Sequence, residues 1–311
     1  MMPEPFALAD RGALFFPRRK HGADIQTIRK YKECRTMKTR GHLTLAVTTL
    51  LLGSVLSPAG HAAMTDGNAS VSVGAGFAVA PAYPGASHYM AQPVYDLEGH
   101  LKTDNRGAFT LGVIRGARWD LPLPSPFGVA LLMDYDPGRK ERIRGLGSHD
   151  DHLRRMSDLG GSLEAGLELS YRMNPVRVYM KGMTATRERH YGGEDLGRTA
   201  YVDVGVMRDY AITDRMTLLA NAFATWANGG YQRGYFGVTP LQASRTHFAA
   251  YHPGAGLKQF TARLAMNYQW SPSLSFQAGG EAYRLAGDAA DSPLVDKALA
   301  GMAFMSASYR F

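Results

Sequence analysis

Polar and apolar residues alternate singly over long stretches of this chain. Leu163, Ala165, Leu167, Leu169 and Tyr171 interleave with Ser162, Glu164, Gly166, Glu168, Ser170 and Arg172. Phe260, Ala262, Leu264, Met266, Tyr268 and Trp270 interleave in the same way with Thr261, Arg263, Ala265, Asn267 and Gln269. Successive side chains of a strand point to opposite faces, so this period predicts strands with one apolar and one polar face. Comparable segments lie at 69–80, 89–97, 107–119, 127–137, 175–187, 199–211, 216–227, 273–286 and 301–311. Aromatic residues at the segment ends fall where the interfacial girdle of a membrane barrel lies.

These are eleven segments, and a bacterial barrel with both termini in the periplasm needs an even number of strands. Counting back from Phe311, the short joins Asn174-Pro175, Thr213–Arg215, Ser271-Pro272 and Leu121–Pro126 fall on the periplasmic side. The long joins 138–158, 228–255 and 287–300 fall outside. The extra crossing is placed at His100–Thr103, after Glu98-Gly99 and before Asp104. The expectation is an all-β, transmembrane, antiparallel up-and-down β-barrel of 12 strands, with ten as the alternative. A soluble lipocalin-like barrel or sandwich is the rival, with its apolar faces turned inward. The segments are long for that architecture, and Glu164, Glu168, Arg263 and Glu281 suit a hydrated lumen.

Composition agrees with strands that meet lipid on one face only. The chain is 45% hydrophobic and 20% charged, with a mean hydropathy of −0.22, which excludes a bundle of long apolar helices. From Met37 the sequence has the form of a secretory signal peptide: basic Lys38 and Arg40, an apolar run from Leu43 to Leu56, and Gly60-His61-Ala62 before the expected cleavage near Ala62. Such a signal works from the N-terminus, so Met37 is read as the true start and residues 1–36 as a mis-assigned extension. The domain reading is 1–36 extension, 37–62 signal peptide and 63–311 barrel. Cys34, the single cysteine, precedes the cleavage point. The formal charge of +8 also belongs mainly to the leader, where ten Lys and Arg stand against four Asp and Glu up to residue 62. A nucleic-acid partner is therefore not expected.

Candidate chemistry is sparse. His149, Asp151 and His152 could approach a cation, but Arg139, Lys140, Arg142, Arg144, Arg154 and Arg155 surround them. Those cations suit contact with anionic lipopolysaccharide and outer-membrane lipid, and no metal or cofactor is expected. His190, His247 and His252, with Ser244 near His247, are the raw material for a hydrolase, but no motif gives any of them a role. Gly74, Gly76, Gly279 and Gly280 lie in strands and form no phosphate loop. The chain is not expected to be an enzyme. Glu164, Glu168, Arg172, Arg177, Lys181, Asp203, Arg263 and Glu281 have mixed signs, which suits a salt-bridged interior better than a selective channel.

The last segment, Ala303, Met305, Ala307, Tyr309 and Phe311, ends on an aromatic carboxylate. Tyr309 and Phe311 look like the signal read by the barrel assembly machinery. Specific strings lie in the loops: Pro81-Ala82-Tyr83-Pro84-Gly85-Ala86-Ser87, Tyr135-Asp136-Pro137-Gly138-Arg139, Gly234-Tyr235-Phe236-Gly237-Val238, and Asp291-Ser292-Pro293-Leu294-Val295. In this order the chain resembles the MltA-interacting protein (MipA)/OmpV family of outer-membrane proteins. Tyr83, Gly85, Ser87, Tyr235, Phe236, Gly237, Val238, Asp291, Ser292 and Pro293 are its motif residues here. The resemblance implies an outer-membrane barrel acting as a non-enzymatic scaffold between a lytic transglycosylase and a murein synthase. A narrow pore, or a surface receptor or adhesion protein, is the alternative.

Overall fold

The computed structural model describes residues 69–311. The expected leader, the stretch before it and residues 63–68 lie outside the described residues. In chain order the strands are β1 (Ala69–Pro81), β2 (Tyr89–Thr103), β3 (Gly107–Gly112), β4 (Gly116–Asp120), β5 (Phe127–Asp136), β6 (Ile143–Arg144), β7 (His149–Asp150) and β8 (Ser162–Met173). They continue with β9 (Val176–Ala185), β10 (Arg189–Tyr191), β11 (Glu194–Gly197), β12 (Ala200–Thr213), β13 (Met216–Ala227), β14 (Gly256–Gln269), β15 (Leu274–Leu285) and β16 (Leu299–Arg310). Three short helices lie in loops: α1 (Gly229–Phe236), α2 (Pro240–Ala243) and α3 (Gly287–Ala290).

Twelve of these strands form one closed antiparallel barrel, sealed where β1 pairs with β16 from Ser72↔Arg310 to Val79↔Ala303. Closure leaves no open edge running the length of the sheet in lipid. The remaining strands pair as two small hairpins, β6 with β7 and β10 with β11, within the loops that follow β5 and β9.

The expected twelve strands are present, but the extra crossing lies elsewhere. His100–Thr103 is the tail of one continuous β2, in which Gly99 pairs with both Val71 and Leu111. The segment read as 107–119 is a hairpin, β3 and β4, turned at Val113–Arg115. Its hinge is Gly116, at φ +66°, where a side chain would collide with the Met133 carbonyl oxygen. The apolar residues on either side of this turn hid it, because Gly116 alone marks the reversal.

Alternation separates the two faces of the wall. On β14, Phe260 is 54% exposed while its neighbour Thr261 is 4% and Arg263 is 9% exposed. The outward residues form an apolar band around the barrel. Aromatic pairs edge it near the rim that carries the described chain ends: Phe109 on Trp119, Phe127 on Tyr171, Trp270 on Phe276, and Tyr309 on Phe311. This is the belt and girdle of a transmembrane barrel. Joins at this terminal rim are short, and those at the opposite rim are mostly long, which places α1, α2, α3 and both small hairpins at one end of the molecule.

Candidate functional site

The long loops form a packed cap at their rim. One apolar cluster joins Tyr83, Met90, Ile143, Met156, Val238 and Leu294. A second joins Leu159, Tyr191, Leu196, Tyr235, Phe236 and Leu285. Each cluster draws on several loops, so none of these loops buries its apolar residues alone.

The motif residues meet in this cap. Ser292 Oγ donates to the Phe236 carbonyl oxygen at 2.6 Å and accepts from the Leu294 amide at 3.2 Å. Ser87 donates through its amide and its hydroxyl to Asp296 Oδ2, at 3.2 and 2.9 Å. Gly85 lies against Val295 with φ +94°, and its carbonyl accepts from the amides of Asp296 and Lys297 at 2.8 and 3.0 Å. A side chain at Gly85 would strike Val295, so the position needs both positive φ and close approach. Gly237 ends α1, its amide donating to the Arg233 carbonyl, and Val238 bridges to Tyr251. Helix α3 ends at Asp291, ahead of Pro293 rather than behind it. Pro293 and Leu294 form a turn closed by the Val295 amide on the Ser292 carbonyl at 3.0 Å, and the Ser292 hydroxyl accepts from the Leu294 amide within it.

Beneath the apolar residues lies a charged layer that joins Asp136 and Arg139 of the Tyr135–Arg139 string and the motif residue Tyr235 to Arg189 and Tyr191, which no string marks. Tyr235 OH donates to Asp136 Oδ1 at 2.5 Å, and Arg189 donates to Asp136 Oδ2 at 2.5 Å. Arg139, itself buried, donates to the Tyr235 carbonyl and to the Tyr191 hydroxyl. Burial and then the Asp136 carboxylate push the Tyr235 phenol well above its ordinary value. Burial alone would lower the Arg189 guanidinium, but Asp136 outweighs it and holds the cation above its usual range. At the solvent edge, burial is the largest single influence on the Asp158 carboxyl and raises it, but its partners together outweigh it. The Glu141 amide and the Lys140 ammonium, 2.9 Å away, hold it below the ordinary carboxylate range. The available signal was Asp136 and Arg139 flanking Pro137-Gly138 at a strand end, two charges placed just before an apolar loop. Gln242 was also missed. It completes a capping box with Thr239 and donates to the Met156 carbonyl, tying α2 to the loop after β5.

The charged inward residues form a paired wall. Arg118 bridges Asp120 and Glu168, Lys181 holds Asp203 at 3.0 Å, and Arg263 pairs with Glu281. Thr225 adds a hydrogen bond to Asp203 at 2.7 Å.

The histidines are dispersed. His88 meets Asp150 at 3.0 Å, while the His152 ring lies against His247 and Phe248. His190 is 3.9 Å from Asp195. Ser244 donates to the Leu241 carbonyl. Among the described residues, no three His, Cys, Asp or Glu side chains converge as a metal site. Tyr309 and Phe311 pack edge to face at the end of β16, beside the seam with β1.

Residues 73–311 match a family model described as MltA-interacting protein MipA. No curated protein matches the chain in sequence. Among solved structures, the chain is similar to the NanC porin, with 11% identity and a TM-score of 0.42 over 77% of this chain and 98% of that one. It is likewise similar to an outer membrane channel from Pseudomonas putida F1, with 12% identity and a TM-score of 0.42 over 82% and 100% of the two chains.

Proposed function

Because the chain belongs to the MltA-interacting protein (MipA) family, an outer-membrane β-barrel family, we propose that it is a non-enzymatic scaffold. Its task is to hold a lytic transglycosylase and a murein synthase together at the wall. The observation that carries this reading is the family match over residues 73–311, whose description names MltA as the interaction partner. Two features of the molecule support it. The loops pack together at one rim through buried apolar side chains, and inward charges such as Lys181 with Asp203 and Arg263 with Glu281 pair across strands, which suits a docking platform better than a conduit.

In this reading the signal peptide at 37–62 exports the chain, with cleavage near Ala62, and Tyr309 and Phe311 present the last strand to the assembly machinery. The motif residues of the cap serve architecture: they lock the loops to one another. The docking surface is then the terminal rim, where Asp104, Arg106, Asp214 and Arg215 sit in the short joins.

Photocrosslinking residues placed at Asp104 and Asp214, with Leu241 in the cap as control, test this in intact cells. The expected result is recovery of a transglycosylase or a murein synthase from the rim positions and of neither from Leu241. Recovery of neither enzyme from any rim position would overturn the scaffold.

A further inference from the structure

The lipid-facing surface of the wall is indented between β5 and β14. A depression of about 790 Å³ runs across the strands between two neighbouring rows of outward residues. The row nearer the loop rim goes from Leu169 to Phe260, and the row nearer the terminal rim goes from Phe127 to Ala222, each in register from strand to strand. Ala222 and Ala224 make the trench. Their methyl groups leave β13 low between Val204 and Val206 on β12 and the 54% exposed Phe260 on β14.

A cation stands at the lower edge of this trench. The next outward residue after Val206 on β12 is Arg208, set opposite Ala220 of β13. On the other side Met207 pairs with Arg177, so Arg208 falls level with Val176, the residue after the short Asn174-Pro175 join. It therefore lies at the interface of the terminal rim and not in the middle of the belt. Its guanidinium sits 4.1 Å from the centre of the Tyr210 ring, which is nearer the rim. No carboxylate among the described residues pairs with it. Among the described residues, the outward faces of the twelve wall strands hold one other charge, Arg284, at the loop rim between Phe260 and Leu299. A cation exposed to lipid is costly at mid-membrane and nearly free at the interface, where a phosphate can meet it.

We infer that the trench and Arg208 together form a binding site for an anionic glycerophospholipid of the periplasmic leaflet. Its phosphate takes the terminal guanidinium nitrogens of Arg208, whose fork matches the phosphate oxygens, while the Tyr210 ring holds the guanidinium in place. One acyl chain lies in the trench over Ala222 and Ala224, with Phe260 at one end and Phe127 at the other. A zwitterionic head brings its own cation to Arg208, so the site favours a net negative head. A second depression, of about 550 Å³, lies over β3 and β4 and is lined by Leu111, Leu131 and Met133. Its strands carry no outward charge, so it takes an alkyl chain without regard to the head.

The test uses the barrel in phosphatidylcholine nanodiscs doped with a photoactivatable lipid. The probe has a diazirine in one acyl chain and either a phosphatidylglycerol or a phosphatidylcholine head, and labelled residues are mapped by mass spectrometry. The phosphatidylglycerol probe is expected to label 178–180, 204–206 and 222–224 about fivefold more than the phosphatidylcholine probe, the size expected for one interfacial arginine. The two probes are expected to label 131–133 alike. Arg208→Gln removes the preference, Arg208→Lys keeps most of it, and Ala222→Phe, which fills the trench, removes it with the cation still in place. All three change outward side chains only, and heat-modifiable migration reports that each barrel is folded. Equal labelling of the trench by both probes in the unaltered barrel, or a preference that survives Arg208→Gln or Ala222→Phe, would overturn the inference.

Discussion

A single hydroxyl carries much of the cap. Ser292 Oγ serves two loops at once, donating to Phe236 across a separation of 56 residues and accepting from Leu294 within its own turn. Its side chain is buried, so Ser292→Ala leaves the Phe236 carbonyl without a donor, a loss of about 1–3 kcal/mol. The expected outcome is roughly tenfold faster proteolytic cleavage within 228–255, while the heat-modifiable migration of the folded barrel stays unchanged. Equal cleavage rates in the two proteins would mean that the hydroxyl bears no load. Ser292 was recognisable in sequence as a motif residue, yet its partner was not, because nothing local to Ser292 marks residue 236.

At the scale of elements, the inner wall is tuned by cross-strand pairs. Lys181 on β9 and Asp203 on β12 are direct neighbours in register, both buried, and joined at 3.0 Å. Removing one partner strands the other charge, which costs about 3–5 kcal/mol, whereas replacing both with apolar residues of similar volume is close to neutral. Lys181→Met is therefore expected to lower the unfolding midpoint in urea sharply, and Lys181→Met with Asp203→Leu to recover most of it. Equal loss in the single and double variants would show that the pair does not act as a unit. Both residues were legible as lumen charges because strand alternation is a local property. Their partnership depends on register, and register is set across the sheet. The β3–β4 hairpin illustrates the same limit. Parity demanded one more strand, but hydropathy ran unbroken through Val113 and Ile114, so the crossing was placed at His100–Thr103 instead.

For the whole molecule, the prediction is that the cap decides what the barrel can pass. Two apolar clusters and the buried Asp136–Arg189–Tyr235 network hold the loops together at one rim with groups that have little reason to separate in water. Purified protein in a planar bilayer is expected to show no stepwise conductance, and deletion of 230–254 to produce it. Steady single-channel steps from the intact barrel would contradict a sealed cap.

The sequence by itself determined ten of the twelve wall strands, their two faces, the parity of the barrel and the strings that lie in its loops. Each of these follows from properties that repeat within a few residues: alternation, turn chemistry and short strings. Only the tertiary structure decided that Ser87 reaches Asp296 across 209 residues and that Tyr235 lies over Asp136. It also decided that the β3–β4 hairpin is shorter than the strands β2 and β5 on either side of it. Those facts arise from the heights at which strands pair and from the order in which a closed sheet brings loops together. Both are set by the cooperation of distant segments, which local patterns do not carry.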